Sequence, residues 1–293
     1  MNCIFCHEIS DNSKSVEHII PESLGNKEHV LWKEAVCDKC NNYFAVKVEK
    51  ELLNQPYFIS LRNRNVIKTK RNHFVPKNII VSIGNEKWAE AIFEYYGNIG
   101  TINGVIPPIK GKIIAPIFIE PEPNNYILSR FLAKCAYEYL VYRIGKEKFP
   151  KISEYLKDKQ LETLRKYARY GEGCKIWSYS QRRIYGEGDI FTEFSAEKSY
   201  EILNEMDFLA IELERKTIND VQYVVAELYY VLVIMGIEYV INIAEPDISG
   251  YYLWLQQNNF KSPIFRHEEQ RMPNTKTNTP QITEELIKKI KNK

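Results

Sequence analysis

Apolar residues recur along the chain with two different periods, which predict helices in some segments and strands in others. Between residues 124 and 145 the apolar positions are three and four residues apart, a spacing that places them on one face of a helix. Gly145 is a suitable C-terminal stop for that helix, and a second helix is predicted around residues 151–170. The apolar stripe of the first helix consists of Leu128, Phe131, Leu132, Cys135, Ala136, Tyr139 and Leu140.

Short β-rich runs predict strands on both sides of these helices. The runs at residues 79–84 and 112–120 are separated by Gly and Pro, and further runs follow Phe191 at 207–214, 221–235 and 237–244. The Met235-Gly236 step between the last two runs predicts a hairpin turn. The whole pattern predicts an α+β fold, in which a compact N-terminal module precedes a larger mixed α+β domain with β-hairpins.

Composition narrows the class of protein. The chain has 293 residues, of which 44% are hydrophobic and 27% charged, and this profile excludes disorder of the whole chain. Its length permits two domains. The net charge of +2 favours no class of partner, so the local distribution of basic residues carries more information than the total.

No feature of the sequence predicts a membrane protein. The first ten residues, MNCIFCHEIS, lack the charged start and apolar stretch of a secretory signal. The longest apolar candidate, residues 223–244, is interrupted by Glu227 and Glu238 and is interpreted as paired strands. We therefore expect a cytoplasmic location and no membrane partner.

Four of the six cysteines form two C-x2-C pairs near the N-terminus. This spacing suits four thiolate ligands around a tetrahedral Zn²⁺ ion, and it favours metal binding in a reducing cytosol over disulfides. Buried free thiols and a redox pair are the alternative interpretations. A closed shell of four thiolates leaves no open position for water, so the zinc is predicted to be structural. The predicted ligands are Cys3, Cys6, Cys37 and Cys40, whereas Cys135 and Cys174 are predicted to be core residues.

The segments around these cysteines carry a rare combination of residues. Residues 17–25 read E-H-I-I-P-E-S-L-G, and residues 37–42 read C-D-K-C-N-N. The combination resembles the His-Asn-His (HNH) endonuclease family, which has a ββα-metal fold, and in detail the zinc-bearing branch of that family. The resemblance covers residues 3 to about 54, close to a fifth of the chain.

The resemblance implies a division of roles for the site residues. His18 would be the general base at the end of the first strand, while Glu17 and Asn41 would hold a catalytic Mg²⁺ or Mn²⁺ ion. Asn41 would also start the helix that follows the second cysteine pair. These residue types suit the chemistry, because a neutral imidazole accepts a proton near physiological pH and Mg²⁺ prefers oxygen ligands.

Two features depart from the family pattern. Many members of the family have Asp at the position of Glu17, so the longer side chain implies a different reach to the metal. The middle Asn of the family, which orients the loop of the base, has no clear match, and Asn26 and His29 are the nearest candidates.

Basic residues are concentrated just after the resembling segment. Residues 62–77 contain six basic side chains and no acidic one, which suits contact with phosphates but is also typical of a solvated surface. The same two interpretations apply to a second group, Arg165, Lys166, Arg169, Arg182 and Arg183. The predicted nucleic-acid contacts are Arg62, Arg64, Lys68, Lys70 and Arg71.

The resemblance implies a metal-dependent HNH endonuclease that hydrolyses phosphodiester bonds in DNA. Residues 131–140 and 164–173 are also similar to regions that accompany this nuclease type in bacterial proteins, some of which act in defence. The alternatives are RNA as the substrate and a non-catalytic, zinc-stapled module that binds nucleic acid or a partner. A homodimer is left open, because double-strand cutting by one active site usually calls for two copies. The predicted division is residues 1–54 as the nuclease module, 55–271 as an α+β domain that binds substrate or partner, and 272–293 as a linker with a basic C-terminal segment.

Overall fold

The computed structural model shows a mixed fold of helices and antiparallel sheets, in agreement with the predicted α+β class. The structure describes residues 1–26, 28–64, 67, 77–82, 88–96, 99–103, 113–114, 120–149, 159–184, 204–218 and 221–264.

The N-terminal unit combines short antiparallel contacts with a helical segment. Asn2 pairs with Ile9, and His18 pairs with Val30, as isolated antiparallel bridges. A single 3-10 turn, Glu22–Leu24, lies between the two partners of the second bridge. The helical elements that follow are α1 (Asp38–Phe44), a π-helical stretch (Ala45–Glu49), α2 (Lys50–Leu53) and α3 (Pro56–Arg64).

Helix α1 begins at the second cysteine pair. Cys37 is its N-cap, and the Cys37 Sγ atom accepts a hydrogen bond from the backbone N–H of Cys40 at 3.4 Å. The predicted start at Asn41 is therefore wrong by three residues, because the cysteine sulfur satisfies an N-terminal N–H group as a capping oxygen would.

A first sheet follows α3. It contains β1 (Lys77–Ser82), β2 (Trp88–Tyr96), β3 (Ile99–Asn103) and β4 (Ile113–Ile114), in the order β3-β2-β1-β4 with antiparallel pairing throughout. The predicted strands are confirmed over residues 79–82 and 113–114, and residues 83–84 and 115–119 lie outside the described residues.

Helix α4 (Tyr126–Ile144) is the central element of the fold. The Asn125 side chain caps its N-terminus by accepting from Leu128 N at 3.0 Å. Gly145 follows its last residue with φ +79°, so the predicted stop is confirmed, and the helix begins two residues into the predicted stretch. The predicted apolar stripe is confirmed, since its residues are buried except for the partly buried Leu140, but it is not the whole of the buried surface. The middle of α4 is buried all round, including Lys134 and Glu138, because the N-terminal helices, a neighbouring helix and a strand surround it.

Helix α5 (Lys159–Tyr170) packs against α4, which confirms the second predicted helix over residues 159–170. Residues 151–158 lie outside the described residues. The second sheet contains β5 (Tyr179–Arg183), β6 (Asn204–Ile218), β7 (Val221–Ile234) and β8 (Ile237–Asn242), in the order β5-β8-β7-β6. Helix α6 (Ser249–Gln257) follows the sheet.

The β7–β8 hairpin confirms the predicted turn. Met235 and Gly236 have φ of +49° and +79°, the left-handed pair that a tight two-residue hairpin requires. Alternate residues of β7 then serve the two faces of the sheet. Tyr230 and Leu232 belong to the apolar cluster around α4, whereas Tyr229 belongs to a smaller cluster with α6.

One continuous apolar cluster joins the N-terminal unit to α4. Phe5 contacts Phe44 and Tyr137, with ring centroids 4.5 and 5.5 Å apart. The predicted domain boundaries stay a prediction, and residues 272–293 lie outside the described residues. Within the part of the chain that the structure describes, no helix has the length and apolar character needed to cross a membrane.

Candidate functional site

The four predicted cysteine ligands lie together. Their sulfur atoms all fall within 4.8 Å of one another, and Cys6 Sγ is 3.6 Å from Cys37 Sγ. The backbone N–H of Cys37 donates to Cys3 Sγ at 3.3 Å. A hydrogen bond between Cys3 and Cys40 lowers the pKa of Cys3 to about 4 and raises that of Cys40, so these two sulfurs share a proton when no metal is bound. The cluster therefore suits a structural metal ion, and Cys135, as predicted, is a buried core residue outside it.

A side chain from α5 supports this cluster. Arg169 Nε donates to Cys40 Sγ at 3.3 Å, and its guanidinium group lies 3.6 Å from the centroid of the Tyr43 ring. Such contacts to ligand atoms hold the ligands in place and tune the metal. Arg169 and Arg165 are both buried, so the predicted basic surface at 165–169 is wrong for these two residues, although Lys166 is exposed. Nothing in the spacing of the basic residues along the sequence predicts the contact between Arg169 and Cys40.

His18 lies in a short antiparallel pair between two backbone hydrogen bonds. Ile19 N donates to His29 O at 3.0 Å, and Leu31 N donates to Glu17 O at 2.9 Å. The His18 side chain is 23% exposed, and its Nε2 atom is 3.6 Å from Glu22 Oε1. His18 is thus a half-buried imidazole beside a carboxylate, on a segment paired through its backbone.

Asn26 organises the loop that joins the two halves of this pair. Its Nδ2 group donates to Ile20 O at 2.7 Å and to His29 O at 3.2 Å, while its Oδ1 atom accepts from Glu28 N and His29 N, both at 3.1 Å. The side chain is 4% exposed. The sequence offered two candidates, Asn26 and His29, for the residue that orients this loop. In the structure the Asn26 amide makes these contacts, while His29 takes part in them through its backbone.

Asn26→Ala is expected to destabilise the protein by about 2–4 kcal/mol, because buried backbone groups of the loop lose their partners at about 1–3 kcal/mol each. The measurement is urea unfolding at neutral pH. Asn42→Ala, which removes an exposed amide on α1, is the control and is expected to change stability by less than about 0.5 kcal/mol. Equal stability of the two variants would contradict the role assigned to Asn26.

Asn41 lies in the first turns of α1 and contacts the segment that leads to His18. Its Nδ2 group donates to Val16 O at 3.3 Å. Next to it, Asp38 accepts from Ser15 N at 2.8 Å, and hydrogen bonds from the Ser15 side chain and backbone lower the pKa of the Asp38 carboxyl. Residues 14–16 are therefore hydrogen-bonded to side chains in the N-terminal half of α1.

Glu17 lies in a buried charge cluster. It is 5% exposed, and its Oε1 atom is 2.6 Å from Nζ of the fully buried Lys134. The same ammonium group is 2.9 Å from Glu49 Oε1 and 3.1 Å from Glu138 Oε2. Burial alone lowers the pKa of Lys134, but the charges of Glu138, Glu17 and Glu49 outweigh it and raise that pKa well above its usual range. The amino group of Lys134 therefore lies among three carboxylates in the protein interior.

The predicted nucleic-acid contacts are only partly described. Arg62 is 5% exposed, so its side chain contributes little to the surface. Lys68, Lys70 and Arg71 lie outside the described residues, and of Arg64 the structure describes only the backbone. In the second basic group, Arg182 Nε is 2.5 Å from the buried carboxylate of Glu238.

Comparison with known proteins finds a family match in the N-terminal unit. Residues 3–57 match the family model described as HNH endonuclease. The match includes the four cysteines, the His18 segment and the start of α3. No curated protein and no solved structure matches the chain.

Proposed function

We propose that this protein is a metal-dependent endonuclease that hydrolyses phosphodiester bonds in DNA. The observation that carries the proposal is the position of His18. This imidazole lies on a short antiparallel pair that falls between the two cysteine pairs in the sequence, and α1 contacts the segment that leads to it through Asn41. All of these residues lie within the match to the HNH endonuclease family.

The cysteine cluster is proposed to hold Zn²⁺ with a structural role. Zinc–sulfur bonds of about 2.3 Å in a tetrahedron separate the sulfurs by about 3.8 Å. The distance of 3.6 Å between Cys6 Sγ and Cys37 Sγ fits that arrangement. With four thiolates the coordination shell is closed, so the ion would hold the start of α1 against the N-terminal segment.

His18 is proposed to be the general base that takes a proton from the attacking water. A neutral imidazole has the proton affinity needed for this step near physiological pH. The carboxylate of Glu22, whose Oε1 atom is 3.6 Å from His18 Nε2, would stabilise the imidazolium that results. In this proposal His18 accepts the proton, and the Glu22 carboxylate stabilises the positive charge that His18 then carries.

Glu17 and Asn41 are proposed to hold a Mg²⁺ or Mn²⁺ ion. The donor types fit a hard cation, because both side chains offer oxygen atoms, and Asn41 contacts the backbone of the residue that precedes Glu17. When bound, the ion would neutralise charge that develops on the phosphate. The position of Glu17 fits less well than that of Asn41, since its carboxylate is 95% buried and pairs with Lys134.

That ion pair also favours a second candidate function, a non-catalytic module that binds nucleic acid or a partner. A carboxylate that serves a buried lysine supports the packing of the fold whether or not a second metal is bound. Basic residues would then supply affinity without hydrolysis, and DNA and RNA are both candidate ligands.

The experiment that separates the two functions is a cleavage assay on supercoiled plasmid DNA, single-stranded DNA and RNA. Mg²⁺, Mn²⁺ and Ca²⁺ are added separately to protein freed of loose metal by gel filtration, because a chelator would also remove zinc. Nicking that requires Mg²⁺ or Mn²⁺ supports the nuclease. Salt-sensitive binding without turnover under every condition supports the binding module, since salt weakens phosphate contacts.

A further inference from the structure

A lysine far along the chain contacts the backbone of the proposed site. Lys134, in the middle of α4, has no exposed surface. Its Nζ group donates to His18 O at 3.1 Å and reaches Ile19 O at 3.4 Å. The adjacent Cys135 also donates its S–H group to Ile19 O, at 3.1 Å. Helix α4 therefore contacts the backbone of the His18 segment at two successive carbonyl groups.

We infer that Lys134 is a positioning residue, which fixes the His18 segment so that the imidazole keeps one orientation toward the scissile phosphate. The inference rests on the proposed nuclease function. Lys134 is buried and contacts no substrate, so it would act only through the backbone and the carboxylate of the segment that carries His18.

The hydrogen-bond pattern of the antiparallel pair explains why this segment needs an external partner. The pair is bonded through Glu17 O and Ile19 N, the neighbours of His18 on either side. In such a pair the N–H and C=O groups of the middle residue point away from the partner strand. The outward carbonyl of His18 is the one that Lys134 binds, so the ammonium group takes the place of a third strand at this edge.

The charge contacts of Lys134 hold the segment to α1 as well. An ammonium group has three donors, and Lys134 shares them among five oxygen groups, the carboxylates of Glu17, Glu49 and Glu138 and the carbonyls of His18 and Ile19. Glu17 belongs to the His18 segment, and Glu49 belongs to the π-helical stretch after α1. The Lys134 side chain therefore links the His18 segment, the π-helical stretch and α4. An antiparallel pair only three residues long has little stability on its own, so this link matters for the segment.

Lys134→Met keeps the length of the side chain but removes the ammonium group. Hydrogen exchange of the Ile19 and Leu31 amides is expected to become at least about 10-fold faster, while the Asn41 amide, which bonds Cys37 O within the helix start, keeps its protection. For plasmid cleavage, kcat is expected to fall at least about 10-fold with KM within about 2-fold, because orientation and not binding is lost.

Two further variants keep this test decisive. Lys134→Met combined with Glu138→Leu removes both partners of one buried pair, and it is measured in the same way if the single variant does not fold. Glu138→Gln is the matched control, since Glu138 is equally buried and forms an ion pair with Lys134 itself rather than a contact with the His18 segment. Its exchange rates at Ile19 and Leu31 are expected to stay within about 2-fold of the wild type.

Unchanged exchange at Ile19 and Leu31 in a folded Lys134 variant would overturn the inference. So would a uniform rise at all amides, or failure of both Lys134 variants to fold, because Lys134 would then be a residue of the general core. Absence of cleavage by the wild type would reject the nuclease function alone, since the exchange rates still report whether Lys134 holds the segment.

Discussion

Replacing His18 with alanine is expected to lower metal-dependent cleavage of plasmid DNA by about 10²–10⁴-fold in kcat, the usual contribution of a positioned general base. The fold is expected to persist, because the described pairing of this segment runs through the backbone of Glu17 and Ile19 and not through the imidazole. The measurement is the initial rate of nicking at saturating Mg²⁺ or Mn²⁺, with zinc content and circular dichroism recorded on the same samples.

His7→Asn is the matched control for this prediction. His7 is an exposed imidazole of the N-terminal unit with φ +62°, a conformation that asparagine tolerates, so the substitution removes an imidazole without straining the turn. Its cleavage rate is expected to equal that of the wild type. Addition of free imidazole is expected to restore part of the activity of His18→Ala. Full activity of His18→Ala would exclude His18 as the base.

Loss of the metal from the four-cysteine cluster is expected to unfold the N-terminal unit. Structural zinc contributes about 10–16 kcal/mol of apparent binding free energy in small zinc-dependent peptides, which exceeds the total stability of most domains. Cys40→Ser is therefore expected to lose about one zinc ion per chain and to expose residues 1–57 to protease. Metal analysis and limited proteolysis measure the two effects.

Cys174→Ser is the control for this loss, since Cys174 is a half-buried thiol outside the cluster. It is expected to keep both its zinc and its resistance to protease. Acid is expected to release the metal from the wild type, because protons compete for the thiolates as the pH falls. Retention of zinc by Cys40→Ser, or an unchanged proteolysis pattern after the metal is removed, would contradict the structural role.

The cluster could be predicted from the sequence because its geometry is local. Each C-x2-C pair places two sulfurs on one side of a short turn, so only the meeting of two pairs was left to the fold. The β7–β8 hairpin was predictable for a similar reason, since Met235-Gly236 occupies the two positions that a tight turn requires. The C-terminal limit of α4 was predictable from Gly145, which acts on the adjacent backbone.

The support around the site could not be predicted in this way. Lys134 and Arg169 are of residue types that usually lie at the surface. Each binds a partner more than a hundred positions away along the chain, His18 for Lys134 and Cys40 for Arg169. Periodicity marks apolar faces, but it does not mark a charged residue that is buried because distant carboxylates or sulfurs receive it. Asn26 was similarly ambiguous, since its four contacts depend on how its loop closes.

The amino-acid order alone determined the α+β class, the positions of α4, α5 and the β7–β8 hairpin, and the set of cysteines that meet. Only the tertiary structure decided that α4 is enclosed on all sides and that its lysine binds the segment carrying His18. The physical reason is that a buried charge is stable only beside partners of opposite charge or suitable polarity, and here distant parts of the chain supply them.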